Sequence, residues 1–96
     1  MNLLPGVQLV TADTSIGTNG KPIRVFAIHL VSGAADSTAT LYNGTSASGT
    51  AYCQVDGAAN EGVTLNFAGG MRFPSGCYFD VDGNISYASV IYTEEF

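Results

Sequence analysis

Residues able to support acid–base or nucleophilic catalysis are few in this sequence. Its one histidine, His29, lies in the middle of an apolar run from Ile23 to Val31. A catalytic base needs a nucleophile, an orienting partner and access to substrate, and no residue can be assigned to those roles from the sequence. The pattern favours a histidine of the core or of a protein interface. Asp56 and Glu61 lie around another loop, but their spacing does not mark a catalytic pair, so we expect no enzymatic activity.

The segment Asp80-Val81-Asp82-Gly83-Asn84 carries alternating oxygen ligands of the kind that calcium prefers. It departs from the EF-hand template because its glycine stands at the fourth loop position rather than the sixth, and no glutamate stands at the twelfth. We therefore interpret the segment as a hairpin turn flanked by two solvent-facing carboxylates. We predict neither a metal nor any other cofactor.

Cys53 and Cys77 both fall in the inward register of their predicted strands, where free cysteines behave as small hydrophobic residues. Adjacent strands could bring them within range of a disulfide. The segment Met1 to Gly6 lacks the basic and apolar regions of a secretory signal, which favours a reducing compartment where disulfides are rare. A zinc site would need two more ligands, and His29 is the one further candidate. We predict two buried thiols.

The composition is apolar and poor in charge, with 46% hydrophobic residues, 11% charged residues and a net charge of −5. The three cations, Lys21, Arg24 and Arg72, are too few to neutralise several phosphates or to bind an anionic membrane. No apolar run approaches the roughly 20 residues of a spanning helix. We expect neither nucleic acid nor membrane as a partner. A neutral surface of small residues presents little electrostatic barrier to packing against protein, which favours subunit contacts.

Strand-like stretches recur at short intervals, with Asn-Gly and Asp-Gly turn signals between them. The predicted strands are 7–12, 23–31, 38–43, 51–56, 63–67, 71–73, 77–81 and 84–93. The strand 23–31 is apolar on both faces, so we expect it to be central and covered on both sides. The last two strands form a hairpin around Asp82-Gly83. The fold class predicted is all-β, an antiparallel β-sandwich or jelly-roll-like barrel of about seven to eight short strands. It forms one domain over residues 7–96, after an N-terminal arm over residues 1–6.

Interface candidates come from the tyrosines and from the chain ends. Tyrosine suits half-wet interfaces because its ring is buried while its hydroxyl stays paired. Apolar residues at the ends could dock on a neighbouring subunit or pack on their own domain. The candidates are Tyr42, Tyr52 and Tyr92 on the strands and Leu3, Leu4 and Phe96 at the ends. Carbohydrate stacking on the tyrosines is an alternative.

Four stretches taken in order resemble one group of proteins. They are Ala39-Thr40-Leu41-Tyr42-Asn43-Gly44-Thr45-Ser46-Ala47-Ser48-Gly49-Thr50, Leu65-Asn66-Phe67, Gly70-Met71-Arg72-Phe73-Pro74-Ser75-Gly76-Cys77-Tyr78-Phe79-Asp80-Val81 and Ser89-Val90-Ile91-Tyr92. They contain, in order, a strand that ends in a turn glycine, a Thr/Ser loop, an apolar stripe, and a Gly, Phe, Ser-Gly corner before the final predicted hairpin. With these features in this order, residues 23–93 of the chain resemble the small β-rich virion structural proteins of tailed bacteriophages.

The resemblance implies a non-enzymatic virion structural protein that is assembled in the bacterial host cytoplasm and localised to the virion. The most specific expectation is a capsid decoration or cement subunit, which stabilises the phage head by binding major capsid proteins. The expected partners are the major capsid protein or other virion subunits, together with further copies of the chain in a homo-oligomer, a trimer being favoured. The alternatives are a neck or tail structural component and a glycan- or receptor-binding β-sandwich module.

Overall fold

The computed structural model describes residues 6–95, which form eight strands. The strands are β1 (Gly6–Val10), β2 (Thr14–Ile16), β3 (Ile23–Ser32), β4 (Ser37–Asn43), β5 (Thr50–Gly57), β6 (Gly62–Phe73), β7 (Cys77–Val81) and β8 (Ile85–Glu94). Over these residues there is no helix that could cross a membrane.

The strands form two antiparallel sheets of four, sheet I in the order β1-β8-β3-β6 and sheet II in the order β2-β7-β4-β5. The first strand pairs with the eighth, the second with the seventh, the third with the sixth and the fourth with the fifth. The chain is therefore one long hairpin, with its tip between β4 and β5, rolled into a sandwich. This is the arrangement of an eight-stranded jelly roll. The prediction of an antiparallel β-sandwich or jelly roll is confirmed.

The core lies between the two sheets and follows from the alternation of apolar and polar residues along the strands. In β4, Ala39 and Leu41 are fully buried, whereas Thr38, Thr40 and Tyr42 between and beside them point outward. The residues that make up the core are Val10, Ile16, Ile23, Val25, Ile28, Leu30, Ala39, Leu41, Val55, Phe73, Cys77, Phe79, Ala88 and Val90.

A β-bulge in β3 changes which residues face the core. The register of β3 shifts between Val25 and Ala27 against both of its neighbours. Relative to β8, Phe26 is an extra residue, whereas on the other side residues 67–70 of β6 lie opposite Phe26 alone. Val25 points inward before the bulge and Ile28 points inward after it. The expected continuous alternation through Ile23 to Val31 is thus wrong. The strand is central, between β6 and β8, but its outer face is open and carries the exposed His29.

Three further expectations about the strands are corrected. The predicted strands 63–67 and 71–73 are parts of the single strand β6, and β2 lies inside a segment expected to be a loop. The last two strands do not form a hairpin, because β7 belongs to sheet II and β8 to sheet I. Among the described strands, β4 and β5 are the one consecutive pair that shares a sheet. The Asp82-Gly83 turn therefore connects the two layers.

Candidate functional site

His29 lies near the middle of the outer surface of sheet I. Its Nδ1 is 2.8 Å from the Thr64 hydroxyl on β6, and the ring of Tyr87 on β8 is 6.5 Å away. Of the two expected placements, core or protein interface, the core is wrong, because the Phe26 bulge turns His29 outward; the interface placement stays a prediction. Its surroundings are an open strand surface rather than a cleft.

The residues around His29 form a surface that we call the apolar face. They alternate with the core residues on β1, β8 and β3, and register places them in cross-strand rows. The rows are Val7, Ile91 and Ala27, then Leu9, Ser89 and His29, then Tyr87 and Val31. Val7 is 68% exposed, Leu9 65%, Ile91 39% and Tyr87 37%. These four large side chains therefore lie side by side on the exposed outer surface of sheet I.

None of the residues of the apolar face is Asp, Glu, Lys or Arg. The arginines of sheet I lie on the other side of the bulge. Arg24 donates to the Gly69 carbonyl at 3.2 Å, and Arg72 pairs with Glu95 at 2.9 Å. Through that hydrogen bond Arg72 holds the pKa of the Glu95 carboxyl below its usual value. The charge on sheet I is thus concentrated at one end, and the apolar face is at the other.

The outer surface of sheet II, which we call the tyrosine face, is different in character. Tyr42 on β4 is the register partner of Tyr78 on β7, and both are half-buried. Two residues further along, Thr40 is the partner of Asp80 on one side and of Gln54 on the other. The residues of the tyrosine face are Ser15, Thr38, Thr40, Tyr42, Gln54, Asp56, Tyr78 and Asp80. An open depression of about 230 Å³ on this face is lined by Thr38, Thr40, Asp80, Val81 and Asp82.

Several carboxylate oxygens around the depression already accept hydrogen bonds. Asp82 Oδ2 accepts from the backbone N–H of Thr38 and its Oδ1 from that of Asn84, both at 3.0 Å. Asp13 Oδ1 accepts from the backbone N–H of Val81 at 2.8 Å. These bonds join the β1–β2 and β7–β8 connections to the sheet, which is a turn-capping role typical of aspartate.

Asp80 is in a different position from those capping aspartates. Desolvation, followed by the neighbouring Asp13 carboxyl, raises the pKa of Asp80 above its usual value.

On the same face, Asp56 Oδ1 accepts hydrogen bonds from the Thr38 hydroxyl at 3.1 Å and from the Gln54 amide at 3.2 Å. Glu61, the other member of the pair considered from the sequence, lies in the loop before β6. Within residues 6–95 no group of three His, Cys, Asp or Glu side chains is placed to hold a metal ion.

Cys53 and Cys77 are both free. Cys77 is buried in the core, as predicted, whereas Cys53 is only half-buried and packs against the core. They lie on β5 and β7, which flank β4, so their Cα atoms are about 9–10 Å apart from strand spacing alone. That separation exceeds the range of a disulfide. Burial, followed by the proximity of Cys53, raises the pKa of the Cys77 thiol to about 12. Burial also raises the pKa of Cys53.

The interface residues predicted from the sequence are not brought together. Tyr42 lies on the tyrosine face, whereas Tyr52 is at the edge of the sandwich with its ring 5.1 Å from that of Phe73. Tyr92 packs against the core. Leu3, Leu4 and Phe96, with most of the predicted arm, lie outside the described residues.

The apolar face was not anticipated from the sequence. The signal for it is the presence of apolar residues on both sides of β1 and β8, where Val7 and Leu9 alternate with the core residue Val10, and Ile91 follows Val90. A strand at the surface of a sandwich needs only one apolar side.

Comparisons of the chain with protein-family models, curated proteins and solved structures found no match.

Proposed function

We propose that this protein is a non-enzymatic structural subunit that binds other protein subunits through the apolar face. The observation that supports this most strongly is the exposure of Val7, Leu9, Ile91 and Tyr87 on one uncharged sheet surface. Contiguous apolar patches are rare on free monomers and mark interaction sites when they occur. At its centre, His29 already pairs its Nδ1 with the Thr64 hydroxyl, so a covering partner has to satisfy only the Nε2 of that ring.

The size of the apolar face indicates the kind of contact it makes. Its rows extend over about 14 Å across three strands and about 20 Å along them, using usual strand dimensions. The resulting area of roughly 300 Å² is a little over a third of the 800 Å² per partner that a stable protein interface buries. One such contact alone is weak. It becomes strong where many copies bind a repeating surface or where the subunit is itself an oligomer, because linked contacts act together.

A particle built of many identical subunits provides these conditions. We therefore propose a virion as the location and a capsid decoration or cement protein as the role. The partner is the major capsid protein or another virion subunit, and a homo-oligomer such as a trimer multiplies the contacts. The resemblance to phage virion proteins supports this setting, and the jelly-roll fold is compatible with it, since capsid proteins are among its users. A neck or tail component is the second role of the same class.

The arrangement of the polar residues does not favour catalysis. His29 is within hydrogen-bonding distance of the Thr64 hydroxyl, but a nucleophilic pair also needs a group that orients the base and donors for the developing charge. The residues beside the pair on the same face are Gly62, Leu9, Ser89 and Tyr87. None of them is a carboxylate that could orient the imidazole. We therefore propose a binding function and not an enzyme.

The test replaces Leu9 with serine, alone and together with Val7→Ser. Complete burial of a Leu side chain contributes about 1.5–3 kcal/mol, and Leu9 is already one third covered in the subunit. Covering the remainder by a partner is thus worth about 1–2 kcal/mol, which predicts an association weaker by roughly fivefold to thirtyfold. Sedimentation velocity over a concentration series measures self-association. Co-sedimentation with heads assembled from major capsid protein measures binding to the particle.

The matched control is Tyr52→Ser, which removes an exposed aromatic side chain at the far edge of sheet II. It should leave both association measurements unchanged. Thermal melts of all variants should show that the fold is retained, because Val7 and Leu9 are mainly exposed. If Leu9→Ser and the double variant assemble and bind heads as the parent does, the apolar face is not the interface.

A separate measurement distinguishes the two proposed virion roles. Quantitative mass spectrometry of particles counts the copies of the chain: hundreds of copies indicate decoration, and about six or twelve indicate a neck or tail ring.

A further inference from the structure

We propose that the tyrosine face is a binding site for a neutral oligosaccharide, with one sugar ring in the depression and the next against the tyrosines. This site is on the opposite sheet from the apolar face, so the two functions are independent. The inference is carried by the arrangement of aromatic, hydroxyl and carboxylate groups on one rigid, regular part of sheet II.

The aromatic part of the site is the pair Tyr42 and Tyr78. They are register partners on two central strands, and each is half-buried, which limits the freedom of its ring before any ligand binds. Aromatic rings bind the apolar faces of other rings by burying area, while a tyrosine hydroxyl remains free for a polar contact. Two aromatic residues side by side therefore suit a ligand that has ring faces and hydroxyl groups together.

The polar part is the depression next to the tyrosines. Its volume of about 230 Å³ corresponds to roughly eight water molecules of the liquid, which is enough for one sugar ring. Thr40 and Asp80 lie across from each other in its lining and are one alternate residue from Tyr42 and Tyr78, about 7 Å along the strands. Unlike Asp82, whose two oxygens accept backbone amides, Asp80 faces another carboxyl, that of Asp13. Hydroxyl groups of a ligand would supply the donors that it needs.

The charges on this face select the ligand class. Asp56 and Asp80 belong to the face, and Asp13 and Asp82 lie at its end, while no Lys, Arg or His is among its residues. Phosphates, sulfates and acidic sugars would be repelled. A neutral, hydroxyl-rich ligand with ring faces satisfies both parts of the site. A basic peptide would satisfy the carboxylates alone and would not require the tyrosines.

The experiment is an NMR titration of the ¹⁵N-labelled full chain with cellotetraose, maltotetraose and tetra-N-acetylchitotetraose, all of which are uncharged. Each is added to about 10 mM, which detects dissociation constants in the millimolar range. We expect at least one of them to shift amide signals confined to β4, β7 and the neighbouring part of β5. Tyr42→Ala should weaken that binding by about tenfold, and Asp80→Ala should weaken it as well. The matched control Tyr52→Ala, which changes an exposed tyrosine outside the tyrosine face, should bind as the parent does.

Two results would overturn the proposal. One is the absence of localised shifts with all three sugars. The other is binding that Tyr42→Ala and Asp80→Ala both leave unchanged while their spectra show an intact fold. Pentalysine serves as a comparison: if it alone binds to this face, and salt removes the binding, the face recognises basic protein and not carbohydrate. None of these outcomes bears on the apolar face, which is tested by its own variants.

Discussion

Gly76 lies where three loops of the jelly roll meet, and its replacement by alanine should be strongly destabilising. Its φ is +106°, a value that residues with a side chain rarely adopt. An added Cβ would lie 3.1 Å from the backbone N of Gly20 and 3.1 Å from the carbonyl O of Gly44. The same Gly44 donates its N–H to the Gly76 carbonyl at 2.9 Å. The loops before β3, β5 and β7 therefore approach one another through backbone contacts.

The stability lost in Gly76→Ala is the sum of two contributions. The positive φ costs an alanine about 1–2 kcal/mol, and forcing a methyl group into close-packed backbone costs about 1–3 kcal/mol. The sum of about 2–5 kcal/mol corresponds to a fall in Tm of roughly 8–40 °C for a domain of this size. Since domains of this kind have about 5–15 kcal/mol of stability, the variant should still fold at room temperature. Thermal melts and urea titrations measure both quantities.

Two matched controls separate the contributions. Gly69 has a φ of +76° and no atom within 4 Å of an added Cβ, so Gly69→Ala should lose about 1–2 kcal/mol from the backbone alone. Gly83 has neither a positive φ nor a neighbour within 4 Å, so Gly83→Ala should be neutral or slightly stabilising. If Gly76→Ala loses no more than Gly69→Ala, the three loops are not packed tightly enough to resist a methyl group, and the reasoning fails.

Three further predictions concern titratable groups. Alkylation of unfolded but unreduced protein should add two labels, at Cys53 and Cys77, whereas folded Cys77 should react very slowly because its pKa is about 12; mass spectrometry that finds no label after unfolding would reveal a disulfide. The pKa of Asp80 is raised in the folded state, so the native chain holds this proton more tightly than the unfolded chain does. The free energy of unfolding therefore rises as the pH falls through that pKa, and the ionised Asp80 carboxylate destabilises the fold at neutral pH. Asp80→Asn should therefore increase Tm at pH 7 and lose this advantage near pH 3, and an equal gain at both pH values would exclude the ionic explanation. Neither a chelator nor excess calcium should change the melt, because Asp82 and Asp13 already accept backbone N–H groups; a rise of several degrees with calcium would contradict this.

Much of the fold was predictable from the sequence because alternation and turn residues are local signals. The strands around Leu41, Val55 and Phe79 have the expected inward residues. Pairing was less accessible, because Asp82-Gly83 suits a tight hairpin by its residue types, yet it connects two sheets. A turn signal reports local backbone conformation and not the partner of the strand that follows. In a jelly roll that partner is set by contacts between residues far apart in the chain.

The position of His29 was not predictable for a related reason. A single extra residue in a strand reverses which side chains face the core, and the bulge at Phe26 carries no glycine or proline that would have marked it. The opposite strand contains Gly69 and Gly70, both with positive φ, near the same place. These two glycines are the sequence signal that the pairing is irregular there. By residue type the same two glycines predict a break between the strands 63–67 and 71–73, which the structure joins in β6.

The bulge also connects the fold to the proposed assembly. If β3 alternated without interruption, Ile23, Val25, Ala27 and His29 would share one face, and the histidine would be buried with the first two. The extra residue keeps Ile28 and Leu30 in the core and places Ala27, His29 and Val31 outward. There they continue the rows begun by Val7 and Leu9 on β1 and by Ile91 and Tyr87 on β8. One inserted residue thus separates the arginine-bearing end of sheet I from an uncharged end. The β3 part of the apolar face is therefore a consequence of the bulge, and a deletion of Phe26 that restored regular pairing with β8 should alter the face and the core together.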